Sequence, residues 1–277
     1  YSIDDYCYHE IKIPKKNGTF RTLDIPSVDL KYIQRWILDK ILNKMHISSY
    51  ANGFVKNKSI LTNAQQHINS ECIINIDLKD FFPTVTLEQV FGIFKYYGYT
   101  KELSYTLSKF CTYRGILPQG SPASPAITNI VCLRLDKRLS ALGQKYKAAF
   151  SRYADDITFS GKKAIAHLLP YAINIIQDEG FSVNPDKTHI SFQHQRQEVT
   201  GLIVNGDKVR VSRRFKKDFR QEIYYCKKYV QGHLERTNDQ HSFYKEHMYG
   251  KAYFINMVEP ALGKKLLCLL DSILWEY

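Results

Sequence analysis

The sequence predicts an α+β protein. Three observations carry that expectation. Alternating apolar segments flank Asn-Gly pairs near both ends, at Asn17-Gly18 and Asn205-Gly206. A short apolar run, Cys72 to Ile76, ends on Asp77. Longer stretches carry apolar residues at helical spacing.

Taken in order, Glu10 to Lys16 and Thr19 to Ile25 form a hairpin with a basic tip at Lys15, Lys16 and Arg21. Asp29 to Met45 reads as a helix through Ile33, Ile37 and Ile41. Thr86-Leu87-Glu88-Gln89 is a capping box that opens a helix through Val90, Phe91 and Phe94. Ser124-Pro125 supplies an N-cap and an N1 proline for a helix lined by Ile127, Val131, Leu135 and Leu139. Ala148 to Ser160 reads as two strands meeting near Ala154-Asp155-Asp156. A helix from Ala164 to Asp178 stops at Gly180, and a strand follows near His189 to Phe192. Leu202 to Val204 and Lys208 to Val211 make a last hairpin before a helical tail.

Composition narrows the function. The net charge of +12 points to a polyanionic partner. No apolar run reaches the ~18 residues of a membrane span, so no membrane partner is expected. Tyr1 to Asp5 lacks the pattern of a secretory signal. The first residue is not Met, so the natural chain is expected to begin earlier. The six cysteines include no CxxC pair and read as reduced core residues of a cytoplasmic protein. The histidines show no HExxH spacing, so no structural zinc is expected.

The carboxylates are the informative residues. Asp77 ends a buried strand, and Asp155 and Asp156 sit at a hairpin junction. Asp-Asp alone is ordinary turn chemistry. Three carboxylates converging at strand ends repel, by roughly 4 kcal/mol per pair about 4 Å apart at an effective dielectric near 20. Hard divalent cations relieve that repulsion and recruit phosphate oxygens as well. A pair of such ions can activate a hydroxyl and stabilise a leaving pyrophosphate.

The surrounding strings decide between these readings. Tyr153-Ala154-Asp155-Asp156 resembles the YxDD box of reverse transcriptases. Ile76-Asp77-Leu78-Lys79-Asp80-Phe81-Phe82-Pro83 resembles the segment that carries their first metal-binding aspartate. Leu117 to Pro125 resembles their LPQGxxxSP loop, and Gly180 to Thr188 their fourth palm motif. The resemblance implies a right-hand polymerase fold: fingers and an antiparallel-sheet palm over residues 1–206, and a helical, nucleic-acid-binding thumb over 207–277. It implies a metal-holding set of Asp77, Leu78, Asp155 and Asp156, with the three aspartates catalytic and two Mg²⁺ (or Mn²⁺) ions as cofactors. It makes Phe82 the steric gate against a ribose 2′-OH and Gln119 a contact to the nucleotide sugar. Lys187 becomes a candidate proton donor to pyrophosphate, and Lys15 and Arg21 cations over the triphosphate.

Two further strings resemble signatures of the bacterial retron enzymes. These are NAxxH at Asn63, Ala64 and His67, and VTG at Val199, Thr200 and Gly201. That resemblance implies copying of a structured non-coding RNA into single-stranded DNA, primed from a 2′-OH to leave a branched product. dNTPs would be the substrates, a host RNase H would remove template, and an effector or toxin protein would act alongside in anti-phage defence. The stretch after Val211 is shorter than a typical ~100–150-residue domain, so no linked RNase H or endonuclease module is expected. The alternatives are a group II intron-like or CRISPR-associated reverse transcriptase, and a non-catalytic RNA-binding scaffold. The tail from Ser212 reads as an amphipathic helix with an apolar stripe of Phe215, Phe219, Ile223, Cys226 and Val230. Its other side presents Lys216, Arg220, Tyr224 and Lys227, expected to lie along the nucleic acid.

Overall fold

The computed structural model describes residues 4–14, 18, 20–230 and 243–275. Lys15 and Lys16, at the expected basic tip, lie outside the described residues. The chain divides into two compact units. One comprises residues 1–59 and 71–192; the other comprises 60–70 and 193–277. The division drawn from the sequence fell at 206/207, without the excursion of 60–70.

In the larger unit, strands β1 (Tyr8–Pro14) and β2 (Phe20–Pro26) pair antiparallel from Tyr8↔Pro26 to Pro14↔Phe20. The Ser27 hydroxyl caps the helix Val28–Lys40, accepting from the Leu30 amide. That helix ends before the expected Met45, tightening into a 3₁₀ turn over Leu42–Lys44.

The centre is an antiparallel sheet of β3 (Cys72–Lys79), β4 (Ala149–Tyr153), β5 (Asp156–Gly161) and β6 (Ser182–Phe192), in the order β4-β5-β3-β6. Strand side chains alternate between faces. Ile74, Ile76, Leu78, Phe150, Ile157 and Phe159 are buried in the main core. Helices Leu87–Tyr96, Lys101–Cys111, Ser124–Val131, Leu133–Lys145 and Leu169–Asp178 bring Phe94, Leu107, Ile127, Leu139 and Ile176 to that same core. The opposite face is polar around Asp77, though Ile73 farther back on β3 is buried there. Cross-strand register sets Asp77 beside Asp156 and Asn184, and Asn75 beside Thr158 and His189.

Several helix ends differ from the sequence reading. Ser124 does not cap its helix; its hydroxyl donates to the Pro118 carbonyl, and Ala123 takes the cap position without a side-chain bond. The single helix expected there is two, broken at Cys132. The helix expected from Ala164 starts at Leu169, because Pro170 lacks an N–H and fits only the first turn; a 3₁₀ segment precedes it. The capping box at Thr86 and Gln89 forms as expected.

Beneath the β4–β5 turn lies a fully buried arginine. Arg152 Nε and Nη2 donate to the two oxygens of Asp136 at 2.7 and 2.8 Å. Its Nη1 donates to Asn129 Oδ1 and to the Ala154 carbonyl, both at 3.1 Å. Asn129 in turn donates to the Gly53 carbonyl. A Cβ on Gly53 would sit 2.5 Å from the Ala154 nitrogen, so only glycine lets that loop press against the turn.

The smaller unit joins the helix Ile60–Gln65 to the hairpin of β7 (Glu198–Val199) and β8 (Leu202–Ile203). The turn residues Thr200 and Gly201 both have positive φ, 46° and 82°, as a type I′ hairpin requires. The Thr200 hydroxyl donates to the Ile60 carbonyl, and the Asn69 amide to the Val204 carbonyl. The two retron-like strings therefore lie in one unit. The hairpin expected from Leu202 to Val211 is reduced to a two-way backbone pair between Ile203 and Arg210, because β8 takes β7 as its ladder partner. Helices Arg213–Lys228, Tyr244–Val258 and Pro260–Asp271 complete the unit.

Removing one partner of a buried ion pair leaves an uncompensated charge, which costs roughly 3–5 kcal/mol. Arg152→Met is therefore expected to lose stability on that scale in urea unfolding, and Arg152→Met with Asp136→Leu to lose less. Equal losses would show that packing, not the stranded carboxylate, dominates.

Candidate active site

The three aspartates reach one end of the sheet by different routes. Asp77 and Asp156 are register partners on β3 and β5. Asp155 lies in the tight turn from Tyr153 to Asp156, which Ala154 closes with a φ of 55°. That conformation costs an alanine roughly 1–2 kcal/mol, and the bond from Arg152 to the Ala154 carbonyl helps hold it. The Leu78 amide donates to the Asp155 carbonyl and ties the turn to β3.

Lys187 and Asn184 from β6 complete the cluster. The Lys187 ammonium is 3.0 Å from one Asp77 oxygen, and Asn184 Nδ2 is 3.1 Å from the other. Asn184 had no role assigned from the sequence; its signal was its place in the Gly180–Thr188 string. Burial first, then Asp155 and Asp77, push the Asp156 carboxyl up to about 7, partly offset by Lys187. Asp155 is also raised, by burial and by Asp77, while Lys187 and Arg21 oppose the shift. Arg21 on β2 is thus close enough to act on the site electrostatically. These are hard oxygen donors with surplus negative charge, the chemistry that suits divalent cations. Among the described residues, no three His, Cys, Asp or Glu side chains surround a common point closely enough to form a metal cage. Asp77 already satisfies both its oxygens with Asn184 and Lys187. Leu78 has a buried aliphatic side chain, so only its backbone could serve the metal role expected of it.

The nucleotide-contact candidates divide. Phe82 is partly buried, packed on the core with its ring 5.5 Å from Phe81 and 6.4 Å from Phe54. The Gln119 carbonyl accepts the Asp24 amide, which ties the loop to β2. Gly120 beside it is required, since a Cβ there would lie 2.3 Å from the Asp24 carbonyl.

In the smaller unit, Asn63 and His67 are buried. Burial lowers the His67 imidazole to about 4, so it is neutral at physiological pH. Lys216 does not face solvent as expected. Its ammonium binds both oxygens of Glu259, at 2.8 and 3.0 Å, because Glu259 also accepts the Val211 amide at this helix start. Arg220, Tyr224 and Lys227 are exposed, aligned with Arg213 and Lys217, and the Lys228 ammonium sits 4.6 Å from the Tyr224 ring centre. A concavity of about 710 Å³ that the sequence did not reveal lies near this helix start, with Arg196, Lys208, Arg210 and Arg213 in its wall.

An antiparallel sheet with aspartates at one end, helices behind and a hairpin in front is the palm of a nucleic-acid polymerase. The family described as reverse transcriptase (RNA-dependent DNA polymerase) matches residues 13–205. The chain belongs to that family, and its place within it is with the retron enzymes. It is 37% identical to the Retron Mx162 reverse transcriptase of Myxococcus xanthus over 94% of this chain and 60% of that protein. It is 35% identical to the Retron Ec86 reverse transcriptase of Escherichia coli over 99% of this chain and 83% of that protein. The chain thus spans under two thirds of the first relative and most of the second. Among solved structures it is similar to telomerase from Candida albicans in complex with a TWJ fragment of telomeric RNA. The TM-score is 0.54 at 12% identity, over 96% of this chain and 63% of that one. Apo telomerase from Candida tropicalis gives a TM-score of 0.53 at 16% identity, over 74% of this chain and 55% of that one. At such identities the likeness is one of fold. Among the described residues no helix is long and apolar enough to cross a membrane.

Because the Asp156 carboxyl is raised from 3.8 to about 7, the folded state binds more protons than the unfolded state between these values. Stability from this group therefore falls as pH rises from about 4 to about 7 and stays low above. Asp156→Asn in EDTA is expected to melt above wild type at pH 8, with the gap closing toward pH 4. The rise is small, since Asp156 keeps contact with water. An unchanged gap across that range would mean the carboxyl is not crowded.

Proposed function

We propose that this chain is an RNA-directed DNA polymerase that extends a DNA strand on a structured non-coding RNA in the manner of the retron enzymes. The single observation that carries the reading is the convergence of Asp77, Asp155 and Asp156 at one sheet end, inside a chain whose relatives are retron reverse transcriptases. Asp77, Asp155 and Asp156 would hold two Mg²⁺ ions, with Mn²⁺ a possible substitute. Bound there, the ions supply activation of the 3′-hydroxyl and neutralisation of the pyrophosphate charge.

This chain's own residues do the rest. The Asp77–Lys187 pair offsets part of the cluster's negative charge. In this reading the Lys187 ammonium, held beside Asp77, would be the proton donor to the leaving pyrophosphate. Arg21 meets the phosphates, with Lys15, outside the described residues, expected beside it from the sequence; Gln119 meets the sugar, and the Phe82 ring fills the space a 2′-OH would need. The branched product primed from a 2′-OH, a partner effector protein in anti-phage defence, host RNase H and a cytoplasmic setting belong to the same reading. The exposed face of Arg213–Lys228 acts as the thumb surface. Its cations meet phosphates and Tyr224 stacks on sugar or base, which gives affinity rather than base readout. The NAxxH and VTG strings act as the clasp of the smaller unit, as the Thr200–Ile60 bond suggests.

Asp155→Asn keeps the shape of the turn and removes a carboxylate charge. It is expected to abolish primer extension with Mg²⁺, a loss of several kcal/mol of transition-state stabilisation, while melting near wild type. Normal extension by the pure variant would remove the chain from two-ion catalysis. A second test addresses the thumb. Lys217, Arg220 and Lys227 changed together to Gln are expected to flatten the log K against log salt slope for an RNA–DNA duplex by roughly two to three units. An unchanged slope would mean that this face is only solvated.

A further inference from the structure

A strained turn in the larger unit holds an arginine that the chemistry above does not use. Tyr113 and Ile116 exchange backbone hydrogen bonds of 2.8 and 3.1 Å around Arg114 and Gly115. Both central residues have positive φ, 50° and 82°, as in a type I′ turn. The first central position of such a turn favours Asn, Asp or Gly, and arginine meets a steric cost there. Strain of this kind persists only where the surroundings hold it in place.

What holds Arg114 is the root of the β1–β2 hairpin. Its Nη1 is 3.0 Å from Glu10 Oε1, and its guanidinium lies 4.7 Å from the Tyr113 ring centre. Tyr113 stacks on Tyr8 at 4.4 Å, and the two rings are buried together with Leu30. Glu10 stands directly across the ladder from Asp24. Like charges so placed repel and work against the pairing of their own strands. Burial first, then Glu10, raise the Asp24 carboxyl above its ordinary range, while Arg114 and the Gln119 main chain oppose the rise. One cation from outside the hairpin therefore answers both acids.

The same root carries two of the nucleotide-contact candidates. The Asp24 amide donates to the Gln119 carbonyl at 3.0 Å, and Gly120 approaches the Asp24 backbone too closely for any Cβ. Arg21 lies three residues from Asp24 toward the hairpin tip, about 10 Å along β2, and acts on Asp155 electrostatically. A shift at the root displaces both Arg21 and the Gln119 loop. Resting on the polymerase reading, we propose that Arg114 is a positioning residue for the incoming nucleotide. By neutralising Glu10 and Asp24 it keeps the hairpin root against the Gln119 loop, so that Arg21 meets the triphosphate while Gln119 meets the sugar. A strained arginine stands where asparagine would fit the turn because the charge is needed and the comfort of the turn is not.

Arg114→Asn separates this role from folding, since asparagine suits the turn and carries no charge. Extension of a pre-annealed DNA primer on RNA is followed against dNTP concentration. The variant is expected to melt near wild type and to raise the dNTP KM roughly two- to fivefold, the scale of an exposed charge pair, with kcat little changed. Arg114→Lys restores part of the loss. Adding Glu10→Gln to Arg114→Asn returns KM toward wild type, because the acids no longer repel. An unchanged KM, a fall in kcat alone, or a KM rise that Glu10→Gln leaves in place would overturn the assignment. Hydrogen exchange at the β2 amides is read on the same proteins without turnover. It is expected to quicken in Arg114→Asn and to slow again with Glu10→Gln; equal exchange in all of them counts against the proposal. A wild type that extends no primer sinks the polymerase reading instead, and exchange still decides whether Arg114 holds the hairpin.

Discussion

The geometry of the site depends on one guanidinium in the dark. Arg152 is wholly buried, and its donors divide between the Asp136 carboxylate and neutral oxygens of Asn129 and Ala154. A buried charge is tolerated only when it is paired and its remaining donors are satisfied. That requirement draws four separate segments toward one point: the loop at Gly53, the helix with Asn129, the helix with Asp136 and the β4–β5 turn. Such a pair contributes little net stability over a packed apolar core. What it supplies is a fixed place for the carbonyl that precedes Asp155, in a turn whose backbone is strained.

Above that turn the forces run the other way. Three carboxylates share one corner: burial and then Asp155 and Asp77 raise the Asp156 carboxyl, and burial and Asp77 raise Asp155. The free protein answers with the Lys187 ammonium and the Asn184 amide on Asp77. Both come from β6, which also pairs with β3 along its length. The strand that completes the sheet therefore supplies the groups that quiet the site. A site held this way carries a standing electrostatic cost.

Much of this was legible in the residues, because polymerase chemistry needs rare residue types at strict places. Tyr153 to Asp156 named its own turn, Thr86 and Gln89 fixed a helix start, and the apolar run from Cys72 to Ile76 identified a strand, which continues past the expected end at Asp77 to Lys79. What could not be read were interactions whose partners are far apart in sequence. Nothing near Arg152 announced that it would be buried on Asp136, and nothing near Lys216 pointed to Glu259, 43 residues on. Lys216 sits at the right helical angle to be solvent-facing; only the tertiary position of Glu259 removes it. Ser124 shows the same limit at short range. Its hydroxyl could accept from the first helical N–H groups or donate to a carbonyl, and the fold of the Leu117–Pro125 loop has it donate to the Pro118 carbonyl.

The excursion of residues 60–70 into the smaller unit bears on how the molecule is made. Asn63, Ala64 and His67 are buried in a unit whose other residues begin at 193, and the Thr200–Ile60 bond closes across 140 positions. At ~5–20 residues per second, the ribosome delivers the second half of that unit on the order of ten seconds after the first. During that interval the segment emerges with its apolar side uncovered, between stretches of a larger unit that can already be folding around it. The nascent chain must keep an orphan helix in reserve until its hairpin is synthesised. For this protein, translation speed and chaperone access are therefore part of the folding problem.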